Sequence, residues 1–293
     1  MTSILVLGDI HADINAISRI VQYVSALGPD VAPTAVLLTG DFVTCAMPHR
    51  KVTPRMARAV VRAVDIVLDV LGVPVFCVPG NHDDPDLWNA DTSIRNVDVL
   101  RGNAPAMCDG FRILGVGGSW SLGGFPYEWS SEDDVFTAVM QIDVEDRKRE
   151  ILLTHAPPRG CKVDTVATGE TVGSAAIHRV IRERSPLLCV CGHIHEAAGW
   201  GVCGSSYVMN AGALSAARCT YRSRGGPTAA WAVDSTAWSA CHFAIVLVND
   251  DGEPPQVLEA FEDPDGWKAR RLVLRDGRVH VVGPQGVHRQ RPD

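Results

Sequence analysis

Short apolar runs alternate with longer stretches of helical period through the first two thirds of the chain. The runs at 4–7, 35–39, 73–78, 151–154 and 187–191 are rich in Val, Ile and Leu, the pattern of strands buried on both faces. Residues 13–27 place Ile14, Ile17, Ile20, Val21 and Val24 at helical spacing and stop at Gly28-Pro29. Residues 53–71 repeat this, with Thr53 as N-cap, Pro54 at the first helical position and Gly72 at the close. Strand, helix, strand, helix, strand predicts parallel βαβ units. Cys108-Asp109-Gly110-Phe111 predicts a hairpin turn between antiparallel strands. Residues 131–149 predict one helix, acidic at its start (Glu132, Asp133, Asp134) and basic at its end (Arg147, Lys148, Arg149), which suits the helix dipole. Residues 174–184 predict a shorter one.

The pattern changes after Gly201. Runs at 202–203, 207–210 and 243–249, and two runs flanking Asp276-Gly277, predict antiparallel strands. Residues 211–241 lack a clear period and read as a long loop. Residues 283–293 read as a disordered tail. Nothing repeats and no low-complexity linker interrupts the chain, so 1–293 is expected to be a single domain, with core motifs over 3–215 and C-terminal strands over 242–282.

The polar residues that follow the five apolar runs carry the chemistry. They are Gly8-Asp9-Ile10-His11, Gly40-Asp41, Gly80-Asn81-His82-Asp83, Thr154-His155-Ala156 and Gly192-His193-Ile194-His195. Ligands of an α/β sheet collect at the carboxyl ends of its strands, so five such ends can converge. Residues i and i+2 of an extended segment share a face. Asp9 and His11 can therefore point into one cavity, and so can His193 and His195. Mixed imidazole, carboxylate and carboxamide donors suit Mn, Fe, Co, Ni or Zn better than a metal that takes only oxygen.

In order, these motifs resemble the calcineurin-like metallophosphoesterase family over roughly residues 3–215. Gly117-Gly118-Ser119, Thr154-His155-Ala156-Pro157-Pro158, Val172-Gly173-Ser174 and Cys191-Gly192-His193-Ile194-His195-Glu196 are similar to the prokaryotic Icc-related phosphoesterases. The resemblance implies an α/β fold, a four-layer αββα sandwich of two mixed β-sheets flanked by helices. It also implies two divalent metal ions per chain, manganese first, with iron, zinc, cobalt or nickel as alternatives. Asp9, His11, Asp41 and His195 resemble the first metal site. Asp41, Asn81, His155 and His193 resemble the second, with Asp41 bridging. Two metals at such a site acidify a bridging water and clamp the phosphoryl oxygens.

His82, next to the ligand Asn81, resembles the family's catalytic histidine, which assists the leaving group. In several relatives an Asp three residues after the Gly-Asp ligand orients that histidine. Thr44 stands at that position here, so the usual dyad is not expected. Asp83 is expected to brace the loop or a ligand. Asn210-Ala211-Gly212 resembles a family turn near the site and is assigned no ligand. Trp120, Phe125, Tyr127 and Trp129 offer a candidate aromatic rim for a flat group, with loop packing as the alternative. His49, Arg50 and Lys51, and Arg218, Arg222 and Arg224, are candidate phosphate contacts or solvated turns. His178 and His242 read as structural.

Charge narrows the substrate class. The net charge of -7 gives no global basic field for duplex nucleic acid. No apolar run approaches the ~18 residues of a membrane span. The N-terminus shows no basic region or cleavage site of a signal peptide, so a cytoplasmic location is expected. The nine cysteines show neither Cys-x-x-Cys nor zinc-finger spacing; reduced thiols are the default and the intracellular disulfides of a hyperthermophile the alternative, a choice the sequence leaves open. Cys189 and Cys191 read as small strand residues. The expectation is a metal-dependent hydrolase acting on a small phosphomonoester or phosphodiester. The alternatives are a DNA or RNA nuclease of the same family and a non-catalytic scaffold that keeps the metal site. Oligomeric state is left open.

Overall fold

The computed structural model describes residues 2–44, 52–84, 97–100, 104–120, 124–214, 241–248, 255–263, 266–275 and 278–282. The first sheet is built on strand β1 (Thr2–Leu7). Helix α1 (Ile14–Ser25) leads to the parallel strand β2 (Ala35–Leu38), and α2 (Pro54–Asp69) to β3 (Val75–Cys77). The helices start where the sequence predicts. Asp13 and Thr53 accept from the backbone N–H of Ala16 and Met56. A short strand β4 (Val97–Val99) completes that edge in parallel.

Strand β5 (Ala106–Cys108) turns into β6 (Phe111–Val116) through Asp109 and Gly110, at φ 47° and 78°. Both residues are left-handed, as a two-residue hairpin loop requires. The pair β7 (Ser119–Trp120) and β8 (Glu128–Trp129) follows, then α3 (Glu132–Met140), β9 (Glu150–Thr154), α4 (Ala175–Arg184), β10 (Leu188–Cys191), β11 (Gly199–Cys203) and β12 (Ser206–Asn210). Strands β13 (Cys241–Val248), β14 (Gln256–Asp263), β15 (Gly266–Arg275) and β16 (Arg278–Val282) form an antiparallel meander. β13 pairs with β1 and joins the meander to the first sheet.

The orders are β16-β15-β14-β13-β1-β2-β3-β4 and β11-β12-β10-β9-β6-β5, with β7-β8 apart. Alternation along the strands defines the layers. Leu5, Leu7, Val36 and Leu38 meet α1 and α2. Ile4, Val6, Ala35 and Leu37 face the other way and meet Ile113, Ile151, Leu153 and Val190 of the second sheet. Leu114, Leu152 and Cys189 face α4, through Ile177, Val180 and Ile181. Three cores separate four layers, helix, sheet, sheet and helix, as expected. Both central strands of each sheet are buried on two faces, which is why they read as continuous apolar runs.

Two expectations change. The predicted helix over 131–149 ends at Met140, capped by Gln141, and Arg147–Arg149 form a separate 3-10 turn started by Asp146. Between them the chain drops inward, where Arg112 and Arg184 donate to the Asp143 carbonyl. Strand β14 lies where the sequence predicts none. The predicted loop over 211–241 and the tail 283–293 lie largely or wholly outside the described residues. So do His49, Arg50, Lys51, Arg218, Arg222 and Arg224.

Candidate metal centre

The strand ends that the sequence singles out meet between the two sheets. β1 delivers Asp9 and His11, β2 delivers Asp41, β3 delivers Asn81 and His82, β9 delivers His155 and β10 delivers His193 and His195. The loops are stitched to one another by their backbones. His11 and Ala12 donate to the carbonyls of Asp41 and Phe42, Asp9 donates to Gly212, and Gly192 donates to His155. His11, Asp41 and His193 all sit at positive φ, 46°, 48° and 68°. Left-handed non-glycine residues cost energy and gather where function requires a fixed geometry.

Close approach accounts for two of the glycines. A Cβ at Gly80 would overlap the Asp41 carboxylate, and one at Gly192 would overlap that of Asp9. No residue but glycine lets the loops close on these carboxylates.

The donors form two overlapping groups. In one, His195 Nε2 is 3.0 Å from Asp9 Oδ2 and 3.3 Å from His11 Nε2. In the other, His155 Nε2 and His193 Nδ1 approach the same Asn81 Oδ1 at 2.8 and 2.9 Å. Asp41 lies between them. Its Oδ2 is 3.9 Å from His11 Nε2, and its Oδ1 is 3.6 Å from His155 Nε2. Asp9, His11 and His195, and Asp9, Asp41 and His155, each bring their donor atoms within 4.8 Å of one another.

The protonation states favour a cation. His155 Nδ1 is 2.8 Å from the Thr39 carbonyl, which only accepts, so the ring proton is on Nδ1. Burial holds His155 and His193 below the usual imidazole range, the second well below it, and brings His11 down to about 3. The inward nitrogen of neutral His155, Nε2, therefore aims a lone pair at the Asn81 carboxamide oxygen, which His193 Nδ1 also approaches. Acceptor facing acceptor at 2.8 Å is unfavourable unless a cation lies among them. Asp41 is pushed well above the carboxylate range, first by burial and then by the charges of Asp9 and Asp83. A divalent ion relieves that repulsion. This donor set fits the divalent metals expected from the sequence.

Supporting residues fix the donors. Asp9 accepts from the Thr39 hydroxyl at 2.8 Å and from the His193 backbone N–H at 2.8 Å. Asp83 accepts from the backbone of Gly80, Phe42 and Val43 and so braces two ligand loops, as expected. Burial pushes its carboxyl up to about 7. Asn210 is a brace that sequence reasoning left without a role. Its amide donates to the carbonyls of Val163 and Ile194, and its oxygen accepts from Gly212. The signal was its place at the end of a buried strand.

His82 lies at the rim. Its backbone N–H donates to Asp41 Oδ1 at 2.9 Å, and its Nε2 is 3.8 Å from Asp41 Oδ2. The Phe125 ring stands edge-on to it at 4.7 Å. Thr44 turns to His11 instead, with its hydroxyl 3.1 Å from Nδ1. The aromatic rim is smaller than expected. Trp129 is buried and donates to the Gly117 carbonyl at 2.7 Å, Tyr127 packs on Gly117 and Gly118, and Phe125 is the one seen against His82.

Residues 2–197 match the calcineurin-like phosphoesterase family. Over 179 residues the chain is 27% identical to the glycerophosphodiester phosphodiesterase GpdQ of Enterobacter lignolyticus (strain SCF1), a match that covers 56% of each chain. The match thus spans about half the length of that relative. Among solved structures, TT1561 of Thermus thermophilus superposes with a TM-score of 0.54 at 19% identity, over 72% of this chain and 89% of that one. A second crystal structure gives a TM-score of 0.57 at 17% identity, over 72% and 90%. At these identities the structures speak for the fold alone. With two thirds of its length matched by the family model, this chain belongs to the calcineurin-like phosphoesterases.

Proposed function

We propose that this protein is a binuclear metal-dependent phosphoesterase that hydrolyses a small phosphodiester or phosphomonoester. Asp9, His11, Asp41 and His195 would hold one ion, and Asp41, Asn81, His155 and His193 the other, with Asp41 shared. Manganese is the first candidate for both. The observation that carries the reading is the His155 Nε2 lone pair aimed at Asn81 Oδ1 at 2.8 Å, with His193 Nδ1 at 2.9 Å from the same oxygen. When bound, the ions supply an acidified water and positive charge for the phosphoryl oxygens.

The rest falls to the chain. Thr39 fixes the His155 tautomer through its carbonyl and orients Asp9 through its hydroxyl. Asp83 holds the loops of Asp41 and Asn81 in register. His82, partly open to solvent beside the shared carboxylate, holds a proton for the departing oxygen. Family membership and the phosphodiesterase activity named for the relative support the ester class. The negative net charge favours a small substrate over long nucleic acid. Among the described residues no helix is long and apolar enough to cross a membrane. We assign the chain to the cytoplasm as one domain.

The test is a metal-dependent screen across aryl phosphodiesters, phosphomonoesters, cyclic nucleotides and single-stranded oligonucleotides. The reading expects kcat/KM to be highest on a small ester and activity to vanish on chelation. Efficient cleavage of oligonucleotides, with tight binding that fades steeply with salt, would favour the nuclease. Inactivity on every ester with metals bound would favour the scaffold.

A further inference from the structure

A second group of metal-binding side chains lies in the outer layer, and it shares no residue with the centre above. Cys161 sits in the loop that leaves β9 after His155, His178 lies on α4, and Cys203 ends β11. Their donor atoms lie within 4.8 Å of one another. His178 Nδ1 is 3.7 Å from Cys161 Sγ and 3.9 Å from Cys203 Sγ. Both cysteines are free thiols and 3% exposed, while His178 is half-buried.

Packing brings the three together. Gly201 and Cys203 share one face of β11. The Cys161 carbonyl lies where a Cβ on Gly201 would be, so the loop is seated on the strand and its sulfur meets that of Cys203. Asp164 accepts from the backbone of Gly160 and Gly173, and Asn210 donates to the Val163 carbonyl, so the loop is held on both sides of Cys161. Around a tetrahedral zinc, with Zn–S of about 2.3 Å and Zn–N of about 2.0–2.1 Å, adjacent ligand atoms are ~3.6–3.8 Å apart. The two sulfur–nitrogen distances, 3.7 and 3.9 Å, are that edge length or slightly more. They are long for strong hydrogen bonds, and the polar partner that Cys161 and His178 now share is the Arg159 carbonyl, at 3.7 Å from Sγ and 2.6 Å from Nδ1.

We propose that Cys161, His178 and Cys203 form a site for a thiophilic d10 cation, zinc(II) first, with a fourth position open toward solvent beside His178. Soft thiolates with one imidazole are the donor set that such an ion selects. Binding releases the two thiol protons. The His178 proton, now on Nδ1 facing the Arg159 carbonyl at 2.6 Å, moves to Nε2 as Nδ1 takes the metal. The ion would tie the loop that follows His155 to α4 and β11. This inference does not rest on the phosphoesterase reading, because its readouts register sulfur alone.

The experiment adds cobalt(II) to the reduced, metal-stripped full chain. A thiolate-to-cobalt charge-transfer band in the near ultraviolet and strong visible bands of a tetrahedral site are expected, the charge-transfer band levelling off at the intensity of one two-thiolate site per chain. Cys161→Ser and Cys203→Ser should each remove the charge-transfer band, and Asp41→Asn should retain it. Should a serine variant fail to fold, X-ray absorption on the zinc-saturated wild type reads the same point, with sulfur neighbours expected at about 2.3 Å. Absence of a sulfur shell, or a charge-transfer band that survives in the Cys161→Ser, Cys203→Ser double variant, would overturn the proposal. So would peptide mapping that finds Cys161 and Cys203 joined as a disulfide in the protein as isolated.

Discussion

The Thr44 hydroxyl lies 3.1 Å from Nδ1 of His11, on the side of the ring opposite the nitrogen that faces His195. A metal-binding histidine is commonly held by an acceptor on its second nitrogen, and loss of that acceptor costs about 10–100-fold in affinity or activity. Thr44 is exposed, so Thr44→Val is expected to weaken metal affinity by about 10-fold, with kcat at saturating metal little changed. Isothermal titration of the variant with manganese checks this. Unchanged affinity would mean that Thr44 does not hold His11.

His82→Ala should leave metal content intact and lower turnover by roughly 10²–10⁴ if the residue delivers a proton. The loss should shrink for nitrophenolate leaving groups, which need no proton. Steady-state kinetics across leaving groups of graded pKa decide it. An equal loss for good and poor leaving groups would assign His82 to phosphate positioning.

The metal-free protein should lose stability as pH rises above about 6.5. Asp83, raised to about 7, and Asp41, raised well above its usual range, bind protons in the folded state that the unfolded chain has already released. Their contribution is present at low pH and is lost as pH rises through the folded values. His11, His155 and His193 are lowered and act in the opposite direction, but only below the unfolded imidazole value near 6.5. From about pH 6.5 to 8 the two carboxylates set a falling slope, opposed above about 7 by the Cys203 thiol, which its hydrogen bond with Cys161 brings down to about 7. Thermal melts of the chelated protein should fall over that range, and manganese should flatten the fall. A melt that rises with pH after chelation would contradict the account.

Arg184 and Glu150, both 1% exposed, pair through two hydrogen bonds of 2.8 and 2.6 Å, and Arg184 also donates to the carbonyls of Val139, Ile142 and Asp143. Arg184→Ala would strand a buried carboxylate, at a cost of ~3–5 kcal/mol. Urea unfolding measures it, and a loss below ~1 kcal/mol would mean that water already screens the pair.

The sequence shows the candidate centre more clearly than it shows the fold's edges, for a physical reason. Asp9, Asp41, Asn81, His155 and His193 each stand just past a buried strand, where an apolar run announces them. Cys161, His178 and Cys203 carry no such signal. They come from a loop, a helix and a strand, 17 and 25 residues from His178, and register between those elements is set by packing. The residues over 131–149 mislead because the dipole argument joins an acidic start to a basic end. The capping of Arg147–Arg149 by Asp146 and the pull of Arg184 on Asp143 outweigh it. β14 escapes a reading by apolar runs because Glu259 and Glu262 interrupt it, although Glu259 is buried beside His242 and Arg270.

Manganese counting by elemental analysis tests the central claim most directly, since manganese favours oxygen and nitrogen donors over thiolates. The loaded wild type should carry close to two manganese ions per chain. Asp41→Asn, which weakens both positions through the shared carboxylate, should lose most of both together with turnover. A wild-type maximum of one ion with full activity, or an Asp41→Asn variant that keeps two ions and its turnover, would contradict a binuclear centre joined at Asp41.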